Sequence, residues 1–219
     1  MAVDGDNRLL TWFDRHFSIR LPVVRFASNT ILLSLAGLLP VLGLYISLVP
    51  DFWSHLLGSQ AALSRFLRQI LTNGLPVVFV VNALGLVLFA RSRANALRAS
   101  AALVIDFVAR IALFTALHAA IYFASAQMFG SFGGDPLQAL RVVGPTLAQA
   151  AAFGNLSGVY LYATLVSALP LQMALAETLL TRESRATLPA IMPAALALVV
   201  IAAQFAALTL VSMALSRLI

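Results

Sequence analysis

The chain contains no cysteine and no lysine, and only 10% of its 219 residues are charged. Without cysteine there are no disulfides, no thiol chemistry and no thiolate-held metal. Without lysine there is no Schiff base and no amine nucleophile, and all fourteen cations are arginine. The scarcity of charge excludes more. A soluble domain carries about 25% charged residues, so this chain lacks the polar surface to coat a globule. Its composition, 61% hydrophobic with a mean hydropathy of +0.96, implies an integral membrane protein.

The formal net charge of +6 does not point to nucleic acid, because the arginines are scattered among short loops. There they set topology and attract anionic lipid. The opening MAVDGDNRLLTWFDRHFSIR lacks the apolar central region of a secretory leader, and Asp4, Asp6 and Asp14 are foreign to a mitochondrial transit peptide. The first span is therefore expected to act as the insertion signal.

Five apolar stretches reach the length of about 20 residues that crosses a bilayer as helix. They cover roughly 29–50, 74–91, 100–125, 146–170 and 188–216. The expected fold is an all-α bundle of about five transmembrane helices with one or two interfacial amphipathic helices. It divides into an N-terminal cytoplasmic or interfacial segment, 1–28, and one helical transmembrane domain, 29–219. With the N-terminus inside, nine arginines lie on the inner side (Arg8, Arg15, Arg20, Arg25, Arg91, Arg93, Arg98, Arg182, Arg185). Four lie on the outer side (Arg65, Arg68, Arg141, Arg217). That bias predicts an N-in, C-out protein of a bacterial inner membrane.

Two segments carry apolar residues on one helical face. In NRLLTWFDRHFSIR they are Leu9, Leu10, Phe13 and Phe17; in SHLLGSQAALSRFLRQILTN they are Leu56, Leu63, Phe66, Leu67 and Ile70. Each fits a helix lying in the headgroup region or packed on the bundle. FGSFGGDP, residues 129–136, is a breaker, with Asp135 as N-cap and Pro136 at the first helical position of a short helix leading into the fourth span. Pro40 and Pro170 lie within apolar stretches, where a missing backbone donor favours a kink.

The third span, ALVIDFVARIALFTALHAAIYF, carries Asp106, Arg110 and His118. A charge near a helix centre costs about 2.5–3.5 kcal/mol on insertion scales. Asp106 and Arg110 are four residues apart, acid first, the favourable order for an ion pair on one face. Asn82, Asn155 and Gln204 bring polar groups to similar depth in other spans, where side-chain hydrogen bonds across helices contribute about 0.6 kcal/mol each. The expected arrangement is an Asp106–Arg110 pair buried against Asn82, Asn155 or Gln204. The alternative for this set is an ion or proton path. Ala150, Gly154 and Gly158 recur every four residues, a small-residue stripe that would let another helix approach closely.

Catalytic patterns fail on the residues. NLSG is similar to the serine motif of rhomboid intramembrane proteases, but Asn155 stands where the glycine two residues before the serine belongs. No histidine follows His118 either. Aspartyl intramembrane proteases need a second membrane aspartate beside Asp106. Three scattered histidines give no metal spacing. The segment PTLAQAAAFGNLSG, residues 145–158, resembles the part of ATP synthase subunit a that holds its essential arginine, in the Pro145-to-Asn155 spacing and in a later glutamine, Gln204. Ala151 stands at the position of that arginine, so the family's proton-transfer mechanism is not carried over. The expected function is a non-enzymatic membrane subunit or scaffold. A small transporter or channel component is the first alternative and an accessory subunit of a membrane enzyme the second. The expected partners are the lipid bilayer and other membrane subunits or further copies of the chain; the sequence names no cofactor.

Overall fold

The structure, a computed structural model, describes residues 8–94, 98–179 and 192–216, and every regular element among them is helical. In chain order these are α1 (Arg8–Phe17), α2 (Val23–Leu48), α3 (Phe52–Leu57), α4 (Gln60–Gln69) and α5 (Leu75–Ala94). There follow α6 (Ala99–Phe129), α7 (Pro136–Ala151), α8 (Leu156–Ser167), α9 (Leu169–Leu179) and α10 (Met192–Ser216). Among the described residues, five stretches are long and apolar enough to cross a membrane: Val23–Leu48, Gln60–Arg91, Ala99–Phe129, Leu156–Leu175 and Ala195–Ala214. The first residues of the fifth expected span, 188–191, and Arg182, Arg185 and Arg217 lie outside the described residues.

The bundle is organised around α8. Its run from Gly158 to Leu165 is buried on every side, as befits a helix apolar all round. The most extensive partner of α8 is α2. They approach closely because Gly37 has no side chain: a Cβ there would collide with the Ser167 hydroxyl and the Ala163 carbonyl.

Along α6, the buried positions Ala102, Asp106, Arg110, Phe114 and His118 recur every fourth residue. Four residues turn an α-helix by about 400°, so the buried stripe winds around α6 by about 40° per step. It meets α9 at Asp106, α5 at Arg110 and α8 at His118 in turn.

The structure corrects the fourth span. Residues 146–170 are not one helix: α7 ends at Ala151 and α8 starts at Leu156. The amide of Gly154 donates to Gln149 and that of Phe153 to Ala150, closing a Schellman end with Phe153 left-handed at φ 58°. The small-residue stripe is corrected with it. Ala150 lies in the last turn of α7, Gly154 lies between the helices, and Gly158 lies in the first turn of α8 against the Ala150 carbonyl. These residues therefore serve a tight reversal of the backbone instead of forming one helix face.

The second amphipathic segment is also corrected. A π-turn, Ile70–Gly74, joins α4 to α5, so the 60–69 stretch prolongs a membrane-length helix instead of lying apart from it. Pro76 explains the turn: it has no N–H for the Thr72 carbonyl, and the wider loop lets Leu75 bond to Ile70 instead. The first amphipathic segment packs on the bundle. Leu10, Phe13 and Phe17 of α1 bury against Phe89 of α5 and against Leu171, Ala174 and Leu175 of α9. The helix α2 runs unbroken through Pro40, whereas α8 ends just before Pro170.

Candidate functional site

Arg110 is wholly buried, and its hydrogen-bond partners come from α5, α6 and α8. Its Nε donates to both carboxylate oxygens of Asp106, at 2.9 and 3.1 Å. Nη1 donates to Asn82 Oδ1 on α5 at 2.6 Å and to the Thr164 carbonyl on α8 at 3.3 Å. The row continues in both directions. Asn82 Nδ2 donates to Ser34 Oγ on α2 at 2.9 Å, and Ser34 donates to the Thr30 carbonyl. On the far side, Gln172 Nε2 of α9 donates to Asp106 Oδ2 at 3.2 Å, and Gln204 Nε2 of α10 donates to Gln172 Oε1 at 2.7 Å.

The direction of each bond follows from chemistry. The carboxylate only accepts and the guanidinium only donates, so the amides on either side must orient as they do.

Local backbone geometry completes the site. Pro170 cannot continue the hydrogen-bond ladder of α8, and the amide of Ala168 tightens onto Leu165. The Thr164 carbonyl, which Ala168 would serve in a regular helix, is thereby left for Arg110. Room for the guanidinium comes from Gly85: a Cβ there would stand 3.1 Å from Arg110 Cζ and 3.2 Å from Nη2. Nη2 itself has no hydrogen-bond partner among the described residues.

The structure thus joins Asn82, Asp106 and Arg110 directly and Gln204 through Gln172. It does not bring Asn155 to them. Asn155 is the N-cap of α8, accepting from the Gly158 amide at 2.9 Å and donating to the Thr146 carbonyl at 3.1 Å. His118 is also separate, with Nε2 3.1 Å from Ser157 Oγ and its ring 4.4 Å from that of Phe114. It lies at the floor of a cleft of about 480 Å³ between α5, α6 and α8.

Ser34, Thr164 and Gln172 are the members that sequence reasoning missed. Gln172 had a signal, an amide in the apolar run LPLQMAL one turn beyond the start of α9. Ser34 is too small and too common in membrane helices to stand out, and the Thr164 contribution is a backbone carbonyl.

The chain matches no family model, no curated protein and no solved structure.

Proposed function

We propose that this chain is a non-enzymatic polytopic subunit or scaffold of a larger membrane complex, held in a bacterial inner membrane with its N-terminus inside. The observation that carries this reading is the row Ser34–Asn82–Arg110–Asp106–Gln172–Gln204. Its two charges are engaged directly by groups of α5, α8 and α9, and the row reaches α2 and α10 through Asn82 and Gln172, which is the use of charge expected of a bundle clamp. A carrier needs charged groups that exchange partners with a passing solute. Beside Gly85 and Asp106 the free space is a void of about 10 Å³, enough for at most a single water. The outward faces of α6 and α10 are mostly exposed and apolar, suited to lipid, to other membrane subunits or to further copies of the chain.

Purification in mild detergent tests the reading. The chain is expected to elute with larger membrane subunits, and the Asp106→Asn/Arg110→Gln double variant to remain in that assembly. Solute or ion flux through liposomes holding the purified chain alone, abolished in the double variant, would overturn the proposal in favour of a transporter.

A further inference from the structure

The cleft beside His118 is lined by a residue whose buried hydroxyl has no hydrogen-bond partner among the described residues. Tyr160, 6% exposed, is one of the residues lining the cleft, and its hydroxyl oxygen is buried. Leaving such a hydroxyl unpaired typically costs about 1–3 kcal/mol. The neighbouring Tyr162 shows the alternative, since its hydroxyl donates to the Ala151 carbonyl at 2.7 Å. The ring of Tyr160 is held in place by Gly74, where any Cβ would strike it, and Gly74 closes the π-turn. Such turns recur at functional sites. The backbone irregularity and the unpaired hydroxyl therefore belong to one construction.

The lining restricts what the cleft can take. Among the described residues that line it, none is acidic and none is arginine. A charged group would be desolvated there without a counter-charge, which is strongly unfavourable. The polar groups are neutral: His118, Ser157 and Tyr160 on the floor, half-buried Tyr122, and Gln69, Thr72 and Asn73 at the exposed rim. A volume of about 480 Å³ is in the range of small-molecule sites and far exceeds one water. The floor is the central helix α8, and exposed Ile121 and Pro76 stand at the mouth, so the cleft opens to the outside of the bundle between α5 and α6. His118 is two turns from Arg110, about 12 Å along the helix. This depth lies near the border of the hydrocarbon layer when Arg110 is at its centre.

We infer that this cleft binds the uncharged, carbonyl-bearing head of a bilayer-soluble molecule, with the Tyr160 hydroxyl donating to the carbonyl oxygen. Two sources share that chemistry, the ring carbonyl of a quinone and the ester carbonyl of a diacyl lipid. The inference rests on the bilayer placement proposed above and not on the subunit role. Resistance of the chain to carbonate extraction checks that placement separately.

The test uses the full chain, with Tyr160→Phe to delete only the hydroxyl and Tyr162→Phe as a control outside the cleft. Decylubiquinone binding is measured by equilibrium dialysis in detergent. Retained diester and diether phosphatidylcholine are compared by native mass spectrometry. Loss of one neutral hydrogen bond predicts about fivefold to tenfold weaker binding in Tyr160→Phe, with Tyr162→Phe unchanged. That pattern for decylubiquinone supports the ring carbonyl. The same pattern for the diester lipid, with the diether lipid not retained, supports the ester carbonyl. Equal binding of both probes by wild type and Tyr160→Phe, or no binding of either, overturns the inference. A water-filled cleft would give the last result.

Discussion

Nη1 of Arg110 donates to Oδ1 of Asn82 at 2.6 Å, and this contact fixes which way the Asn82 amide faces. Its nitrogen is turned toward Ser34, whose hydroxyl accepts and then donates onward to Thr30. A charge on α6 therefore orders a side chain on α5 and another on α2. On the opposite side Asp106 does the same through Gln172 and Gln204 for α9 and α10. Apolar helices in lipid gain little from hydrophobic contact with one another, so hydrogen bonds and close packing set which helix meets which. The ion pair is placed where it can set the relation of five helices at once.

The pair should show strong coupling. Removing one member leaves the other charged and uncompensated in low dielectric, typically a loss of about 3–5 kcal/mol. Asp106→Asn and Arg110→Gln should each lower the folded yield, and the double change should recover much of the loss. Thermal stability of the four proteins in one detergent measures this. A double variant as unstable as the worse single would mean that the partners on other helices outweigh the pair.

Three glycines inside helices should respond differently to alanine. At Gly37 a Cβ meets the Ala163 carbonyl and backbone of α8, which cannot give way; at Gly85 it presses the Arg110 guanidinium; at Gly43 it meets nothing within 4 Å. Gly43→Ala should be neutral or stabilise by up to about 1 kcal/mol through helix propensity. Gly37→Ala should destabilise by about 1–3 kcal/mol, in the range of overpacked cores, with Gly85→Ala between them. Melting temperatures in that order support the close approach of α2 and α8; equal values for Gly37→Ala and Gly43→Ala would refute it.

What the sequence made legible follows its strongest physical signals. Apolar runs of spanning length locate four of the five membrane-length stretches, because few other structures use them, while the fourth run straddles the break between α7 and α8. The four-residue spacing of Asp106 and Arg110 locates their pairing, because both ends lie on one face. The break between α7 and α8 was obscured by a run of small and apolar residues that continues across it. Gly154 and Asn155 carry its signal, a glycine after a helix end followed by a cap. The π-turn was not legible at all. It depends on Pro76 locally and on Gly74 meeting Tyr160, a contact across 86 positions of sequence.

Orientation can be tested with single cysteines in a chain that has none. Ile19 and Gln138 are exposed at opposite ends of the bundle, following α1 and opening α7. The arginine bias predicts that Gln138→Cys reacts with a membrane-impermeant maleimide on intact cells and Ile19→Cys only after lysis. The reverse pattern would invert the topology, and labelling of both on intact cells would defeat the membrane arrangement.

The helix α1 should depend on its two phenylalanines. The rings of Phe13 and Phe17 meet at a tilt of 34° with centroids 4.9 Å apart, and Phe13 meets Phe89 edge-on at 6.2 Å. Truncating a buried phenylalanine costs about 3–5 kcal/mol, more than a ten-residue helix can sustain without its packing. In the Phe13→Ser/Phe17→Ser variant, trypsin should cleave after Arg15 and Arg20 much faster than in the wild type. Unchanged protection would mean that another contact holds α1 in place.

Asn155 gives the sharpest test of the broken span, because the two possible backbones predict opposite signs. If residues 146–170 formed one helix, Asn155 would be an interior position, and Asn155→Ala would stabilise through the better helix propensity of alanine, by several tenths of a kcal/mol. In the structure it is the N-cap of α8, holding the Gly158 amide and the Thr146 carbonyl. Asn155→Ala then loses the cap, about 1 kcal/mol, and strands the side-chain contact to Thr146. Asn155→Ser keeps a capping oxygen but is too short to retain that second bond, so it should fall between wild type and alanine. Melting temperatures in the order asparagine, serine, alanine are the expected result. An alanine variant more stable than wild type would restore the continuous helix, and with it the small-residue stripe of Ala150, Gly154 and Gly158.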